Sequence, residues 1–326
     1  DPQRFWDFIS LTPEAIHMIT WLYSDRGTIR DYRHIDGFGV NTYVWVNRNS
    51  ERLFVKFHWK TVQGLETIDR HEAVRLAGSD PDIAVKRLYD AIARGDYPKY
   101  ELCVQLMKPE EASTLPFDPL DDTKVWPEDA YPLMKVGMMT LNRNPENFFA
   151  QVEQAAFCPG NIVPGIEFSA DKMLQGRSFS YLDTQRHRIG PNFMQLPVNR
   201  SLNQPYNNQR DGSMTYKFNP SPINYSPNSL NGNRPLPATI PVPRPVQLSG
   251  EAVRPSIPKT DDFTQAGERF RSLDKVQREH LVDNIAVELW KCRPDIIRRV
   301  TGYFERADPD FATEVTRAMD AYRKAG

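Results

Sequence analysis

The sequence predicts an α+β protein, and three observations carry that prediction. Two blocks alternate apolar with polar residues, a charged helical block separates them from two further strand-like segments, and apolar stripes at helical spacing fill the C-terminal part. Four strands with a helical insertion would form half of an antiparallel barrel. The chain has 326 residues, long enough to bury a large core. Its net charge of -1 gives no global field that would suggest nucleic acid or an anionic membrane as partner. No apolar run approaches the roughly 20 residues needed to span a bilayer.

Taken in order, the first segment predicts a helix. Thr12 is a candidate N-cap, Pro13 sits where a missing N–H costs nothing, Glu14 suits the first turn, and Gly27 can close the end. Strands follow. Val40, Thr42, Val44 and Val46 alternate with Asn41, Tyr43 and Trp45, and Asn47-Arg48-Asn49-Ser50 supplies a turn. Leu53, Val55, Phe57 and Trp59 then alternate with Arg52, Phe54, Lys56 and His58, completing a hairpin. Residues 69–95 are charged and helical in pattern, with a start signal at Asp80-Pro81. Residues 100–107 and 134–141 predict two further strands.

Between 142 and 262 regular periodicity mostly fails. Residues 191–260 hold 13 of the 27 prolines together with many Asn and Ser, a composition that by itself describes a linker or disorder. Helical stripes resume beyond: Val282, Ile285, Ala286 and Leu289 lie on one face, and residues 295–307 and 309–324 predict two more helices. The resulting expectation is three regions: 1–141, a partial barrel with its helical insertion; 142–262, an extended segment; and 263–326, a helical domain.

Cys103, Cys158 and Cys292 are an odd, scattered set, which fits reduced thiols in a cytoplasmic protein better than a disulfide framework. His17, His34, His58, His71, His187 and His280 are too dispersed for a metal motif. No Gly-rich phosphate loop or nucleophile elbow is present. Asp121-Asp122 and Glu110-Glu111 describe a solvated surface.

The informative run lies at 175–192. As a helix it puts Arg177, Tyr181 and Arg188 at i, i+4 and i+11, on one stripe. An arginine one turn before a tyrosine can donate to the phenolic oxygen, and a permanent neighbouring cation favours the phenolate. By spacing alone a surface helix with a chance Arg/Tyr pair is the better description, because i, i+4 pairs are common.

The residues around that pair decide. Arg177, Phe179, Tyr181, Asp183-Thr184, His187-Arg188 and Gly190-Pro191-Asn192 together resemble the proximal signature of the monofunctional haem catalases of small-subunit type. The likeness extends through Phe5-Trp6-Asp7-Phe8, Ser24-Asp25-Arg26-Gly27, Thr123-Lys124-Val125-Trp126-Pro127 and Leu141-Asn142-Arg143-Asn144-Pro145. It continues at Pro164-Gly165-Ile166-Glu167 and Asp171-Lys172-Met173-Leu174. It therefore runs from the first residues to about residue 230, with a weaker helical tail.

The resemblance implies the second half of an antiparallel eight-stranded β-barrel, an ordered segment wrapping around neighbouring subunits of a homotetramer, and a C-terminal helical domain. It implies dismutation of hydrogen peroxide to water and oxygen through an oxo-ferryl intermediate. Tyr181 would be the ligand of haem iron, with Arg177 holding it ionised. Arg188 would pair with a haem propionate, and Met173 and Phe157 would pack the macrocycle. The family's distal histidine and asparagine have no counterpart here. The chain opens at Asp1, ahead of which catalase-like sequences carry a substantial segment, so a fragment with little turnover is expected.

His17, Ser24, Arg26, Lys60, Val125 and Trp126 fall where such catalases bind NADPH, with Arg26 and Lys60 meeting phosphates. Asp36 stands where an asparagine is common, and Glu128 where a histidine is common; each places an acid near a polyanion. Two alternatives stay open: a hydroperoxide-rearranging relative, and a truncated haem binder or oligomer partner without catalysis.

Overall fold

The structure, a computed structural model, describes residues 1–203, 210–232, 250, 253 and 260–325. Whether 231–258 is ordered is open from the sequence, and most of that stretch lies outside the described residues.

The chain opens with helix α1 (Pro2–Ser10). Asp1 starts it by accepting the Gln3 amide at 3.0 Å, and Pro2 occupies the first turn. Thr12 does not cap the next helix. Its hydroxyl donates to the Phe8 carbonyl at 2.9 Å, satisfying the end of α1, and a short 3-10 turn at Pro13–Ala15 leads into α2 (Ile16–Leu22). Gly27 falls in the 3-10 turn Asp25–Gly27, where a Cβ would lie 1.9 Å from the Leu22 carbonyl oxygen. Close approach, not a left-handed cap, is the reason for that glycine.

Strand β1 (Gly37–Phe38) precedes β2 (Tyr43–Val46), which is shorter than the alternation over 40–46 suggests. Asn41 and Thr42 leave the ladder because both bind the carboxylate of Asp171. The expected turn is present: the Asn47 side-chain oxygen accepts the amides of Asn49 at 2.9 Å and Glu51 at 3.0 Å, then β3 (Arg52–Thr61) follows. The helical block is two helices, α3 (Arg70–Ser79), capped by Asp69, and α4 (Ile83–Ala93), divided at Asp80-Pro81 as the start signal indicated.

Strands β4 (Lys99–Met107) and β5 (Met134–Thr140) match expectation. Strand β6 (Ile166–Phe168) does not show in the sequence, since three residues are too few to display a period of two. Helix α5 (Lys172–Arg188) carries the Arg177/Tyr181 stripe, and α6 (Thr264–Ser272), α7 (Lys275–Leu289), α8 (Pro294–Ala307) and α9 (Pro309–Ala325) complete the chain.

Two compact units result. The first comprises Asp1–Val40, Lys56–Arg143 and Val253–Gly326. In it β1 and β4 flank the later half of β3, and β5 pairs antiparallel with β4. Its main core is helical. Phe311 lies 4.3 Å from Phe304 and 4.6 Å from Phe270, ring centroid to centroid, among the buried side chains of α1, α2 and α6 to α9. The stripe Val282, Ile285, Ala286 and Leu289 faces this core. Asp274 and Gln277 form a reciprocal capping box at the start of α7.

The second unit comprises Asn41–Val55 and Asn144–Ala252. Here β2 lies between the first half of β3 and β6, antiparallel to both. Val44, Val55 and Leu174 are buried, and Arg52 forms an ion pair with Glu167 across the strands. Helix α5 begins shortly after β6, so the residues that end the sheet also fix where the stripe starts.

Candidate functional site

Helix α5 is seated by its N-cap. One oxygen of Asp171 accepts the Leu174 amide at 2.9 Å, while the other accepts from Asn41 Nδ2 at 3.0 Å and from the Thr42 amide at 3.2 Å. The Ser169 hydroxyl donates to the Thr42 carbonyl, and the Asp171 amide donates back to Ser169 Oγ at 3.1 Å. All four residues are buried. Buried polar groups hold their places only when paired, so this knot fixes the rotation of α5 against the strand it leaves.

The same asparagine accepts from Arg177 through Oδ1. Arg177 Nη2 then donates to the Tyr181 phenol oxygen at 3.0 Å, and its guanidinium lies 5.0 Å from the Tyr181 ring centroid. The outcome is one connected line, Asp171–Asn41–Arg177–Tyr181, running from a buried carboxylate to a phenol oxygen. Tyr181 is half-buried. Nearby, burial raises the Tyr43 phenol above its usual range against the opposing charge of Arg177, and its hydroxyl donates to the Pro159 carbonyl at 3.0 Å.

Arg188 is the last residue of the same helix. Its guanidinium donates to the carbonyls of Glu153 at 2.6 Å and Ala155 at 2.7 Å and to Gln185 Oε1 at 2.6 Å, so it closes the loop 153–155 onto α5. Met173, one turn before Arg177, is 59 % exposed, and Phe157 is 80 % exposed. Two large apolar side chains thus stand uncovered, one of them on the stripe that carries Tyr181. Among the described residues no group of three or more His, Cys, Asp or Glu is placed to hold a metal ion.

The second expected cluster lies in the first unit, and every member has a partner inside the fold. His17 is buried; its Nδ1 donates to the Thr123 carbonyl at 2.8 Å and its Nε2 accepts from Trp21 Nε1 at 3.1 Å. That pairing fixes one neutral tautomer, and burial lowers the imidazole below its ordinary value. Ser24 Oγ donates to the Trp21 carbonyl at 2.7 Å. Arg26 and Lys60 both bind Asp36, at 3.2 and 2.8 Å. Val125 exchanges two backbone hydrogen bonds with the Gln265 side chain, at 2.9 and 3.0 Å. Trp126 is buried, with its indole N–H on the Pro119 carbonyl at 3.1 Å.

Spacing found Arg177 and Tyr181 but not the residues that brace them. Asp171 carried a usable signal, a carboxylate immediately before a helix; Asn41, 136 residues from Arg177, carried none. Gln265 and Arg269, one turn apart on α6, were likewise invisible as neighbours of Trp21 and Val125.

An antiparallel sheet feeding a phenol-bearing helix, followed by a C-terminal helical bundle, is a catalase-like fold. Solved structures bear this out: a fungal catalase superposes with a TM-score of 0.92 and a bacterial catalase with 0.90, each 39 % identical in sequence and each matched over 98 % of this chain and 66 % of its own. The family profile described as catalase matches residues 1–232, and one described as catalase-related immune-responsive matches residues 256–319. Similar curated proteins are a catalase of Methanosarcina barkeri, 47 % identical over 324 residues, and a peroxisomal catalase of Toxoplasma gondii, 44 % identical over 324 residues. A bromoperoxidase-catalase of Streptomyces venezuelae is 44 % identical over 329 residues. The chain belongs to the catalase family. It spans 64 % of the length of the Methanosarcina and Toxoplasma relatives and 68 % of the Streptomyces one, matching 98 to 99 % of itself in each case.

Proposed function

We propose that this chain is a haem-binding catalase subunit, or the larger part of one, acting on hydrogen peroxide to give water and oxygen. The observation that carries the reading is the Arg177–Tyr181 hydrogen bond at 3.0 Å, braced through Asn41 to buried Asp171.

The donor set suits ferric haem. A phenol oxygen is a hard ligand, and a fixed guanidinium beside it stabilises negative charge on that oxygen. Tyr181 would hold the iron, while Arg177 keeps the oxygen oriented and its charge balanced. Asn41 and Asp171 limit the rotamers open to Arg177, so the oxygen is positioned before any ligand arrives. Met173 and Phe157 offer apolar surface to a flat macrocycle. Arg188 already holds two carbonyls and Gln185, so its service to a propionate would require it to release one of them. When bound, the ferric porphyrin supplies the two-electron redox chemistry, and its electron density is tuned by the oxygen ligand.

The family is the support for a homotetramer as the working assembly. The three free thiols, Cys103 and Cys292 of them buried, favour a reducing compartment, the cytoplasm in our reading. Among the described residues no helix is long and apolar enough to cross a membrane.

The test is the absorption spectrum of the haem-reconstituted protein against Tyr181→Phe. The wild-type chain should take up stoichiometric haem with a ferric spectrum that Tyr181→Phe loses. Identical spectra for the two would remove Tyr181 from the iron and with it this reading.

A further inference from the structure

The resemblance carries a second group, NADPH, on His17, Ser24, Arg26, Lys60, Val125 and Trp126. We infer that these residues do not fit that dinucleotide in this chain, because the side chains of Asp36, Gln265 and Arg269 already engage the positions it would need.

A 2′-phosphorylated dinucleotide needs free cations, an open aromatic face and accessible backbone groups. The cations come first. Asp36, with its side chain 3 % exposed, takes both Arg26 and Lys60 and also accepts the Thr61 amide at 2.9 Å. Burial alone would raise this carboxyl, but the hydrogen bonds from Lys60 and Thr61 and the charges of Lys60 and Arg26 outweigh it and hold it below the ordinary range. Asp36 is therefore a committed anion. A phosphate arriving at Arg26 and Lys60 would have to share them with a buried like charge that cannot leave.

The aromatic face is closed as well. The Arg269 guanidinium carbon lies 3.9 Å from the Trp21 ring centroid, and that of Arg26 lies 5.8 Å from it. A purine could stack there only by displacing Arg269, a cation–π contact worth roughly 0.5–2 kcal/mol. Gln265, one turn earlier on α6, bonds both the N–H and the C=O of Val125. Two residues of a single helix face, four apart, thus do what an external ligand would do at α2 and at the 123–126 loop.

One feature of the site runs the other way. Arg269 brings a third positive charge close to Arg26, whose charge, after burial, lowers the Arg269 pKa. The surplus cation leaves residual attraction for phosphate, so the expected result is weak, unsaturated binding.

The experiment is equilibrium dialysis of the folded wild-type chain, of Asp36→Asn, and of Asp36→Asn with Arg269→Ala, against NADPH. Wild type should show no saturable binding up to about 100 µM, and the double variant should bind at least about tenfold tighter. Asp36→Asn alone is nearly isosteric; it should give an intermediate gain and remains informative should the double variant unfold on circular dichroism. Saturable low-micromolar binding by wild type would overturn the inference. So would a failure of both folded variants to bind more tightly than wild type, since Asp36 and Arg269 would then not be the obstacle.

Discussion

Arg177 donates to the phenol oxygen of Tyr181 at 3.0 Å and, through Asn41, ties that oxygen to Asp171, the N-cap of the helix both residues stand on. One carboxylate thus caps the helix and, through Asn41, reaches the Arg177–Tyr181 pair. Perturbing any link should be felt at both ends.

Asn41 is the joint. Replacing it with Ala leaves a buried carboxylate oxygen and a guanidinium each short of a partner, which costs about 1–3 kcal/mol. Urea denaturation should show that loss, with a larger effect in Asn41→Ala than in Asn41→Asp only if the bond to Arg177 outweighs the repulsion from Asp171. Unchanged midpoints for Asn41→Ala would mean the relay is incidental.

Asp171 both caps the helix and accepts from Asn41 and Thr42. Asp171→Asn keeps one acceptor oxygen for the Leu174 amide but turns an NH2 toward the Asn41 and Thr42 donors, whereas Asp171→Ala strands those donors and loses the cap as well, worth about 1 kcal/mol. Both substitutions should lower the midpoint of thermal unfolding, and a midpoint unchanged in either would contradict this account. A double-mutant cycle with Asn41→Ala should show coupling, since the two sites share a hydrogen bond.

His17 gives a pH dependence whose sign is fixed. Its folded-state value lies below the 6.5 of a free imidazole, mainly through burial, so the unfolded chain binds the proton more readily. The stability it contributes is complete above 6.5 and drains as the pH falls from there through the folded value. Comparing wild type with His17→Gln in denaturant titrations across that window, the gap should narrow on acidification. A gap independent of pH would contradict it.

Phe311 anchors the C-terminal bundle between Phe270 and Phe304 and is fully buried. Phe311→Ala should cost about 3–5 kcal/mol through lost burial and the cavity left behind. Calorimetry that found only a fractional loss would mean the surrounding helices collapse into the space.

Much of this was legible in the residue order. Alternation located the β2–β3 hairpin and strands β4 and β5, because each is long enough to display its period. The 3.6-residue spacing placed α7 to α9, and the i, i+4 pair Arg177/Tyr181 was visible because a helix makes near neighbours of residues close in sequence. Local grammar failed where a tertiary partner overrode it. Thr12 turned back to Phe8, Asn41 and Thr42 left a strand pattern for Asp171, and β6 was too brief to register.

Sequence by itself determined the α+β class, the family motifs and the stripe on α5, since those depend on periodicity and on residue types within a turn or two. Only the tertiary structure decided which groups meet: Asn41 with Arg177, Asp36 with Arg26 and Lys60, Arg269 with Trp21. Hydrogen bonds and ion pairs act over about 3 Å of space regardless of how many residues separate the partners, and only the folded path of the chain fixes that distance.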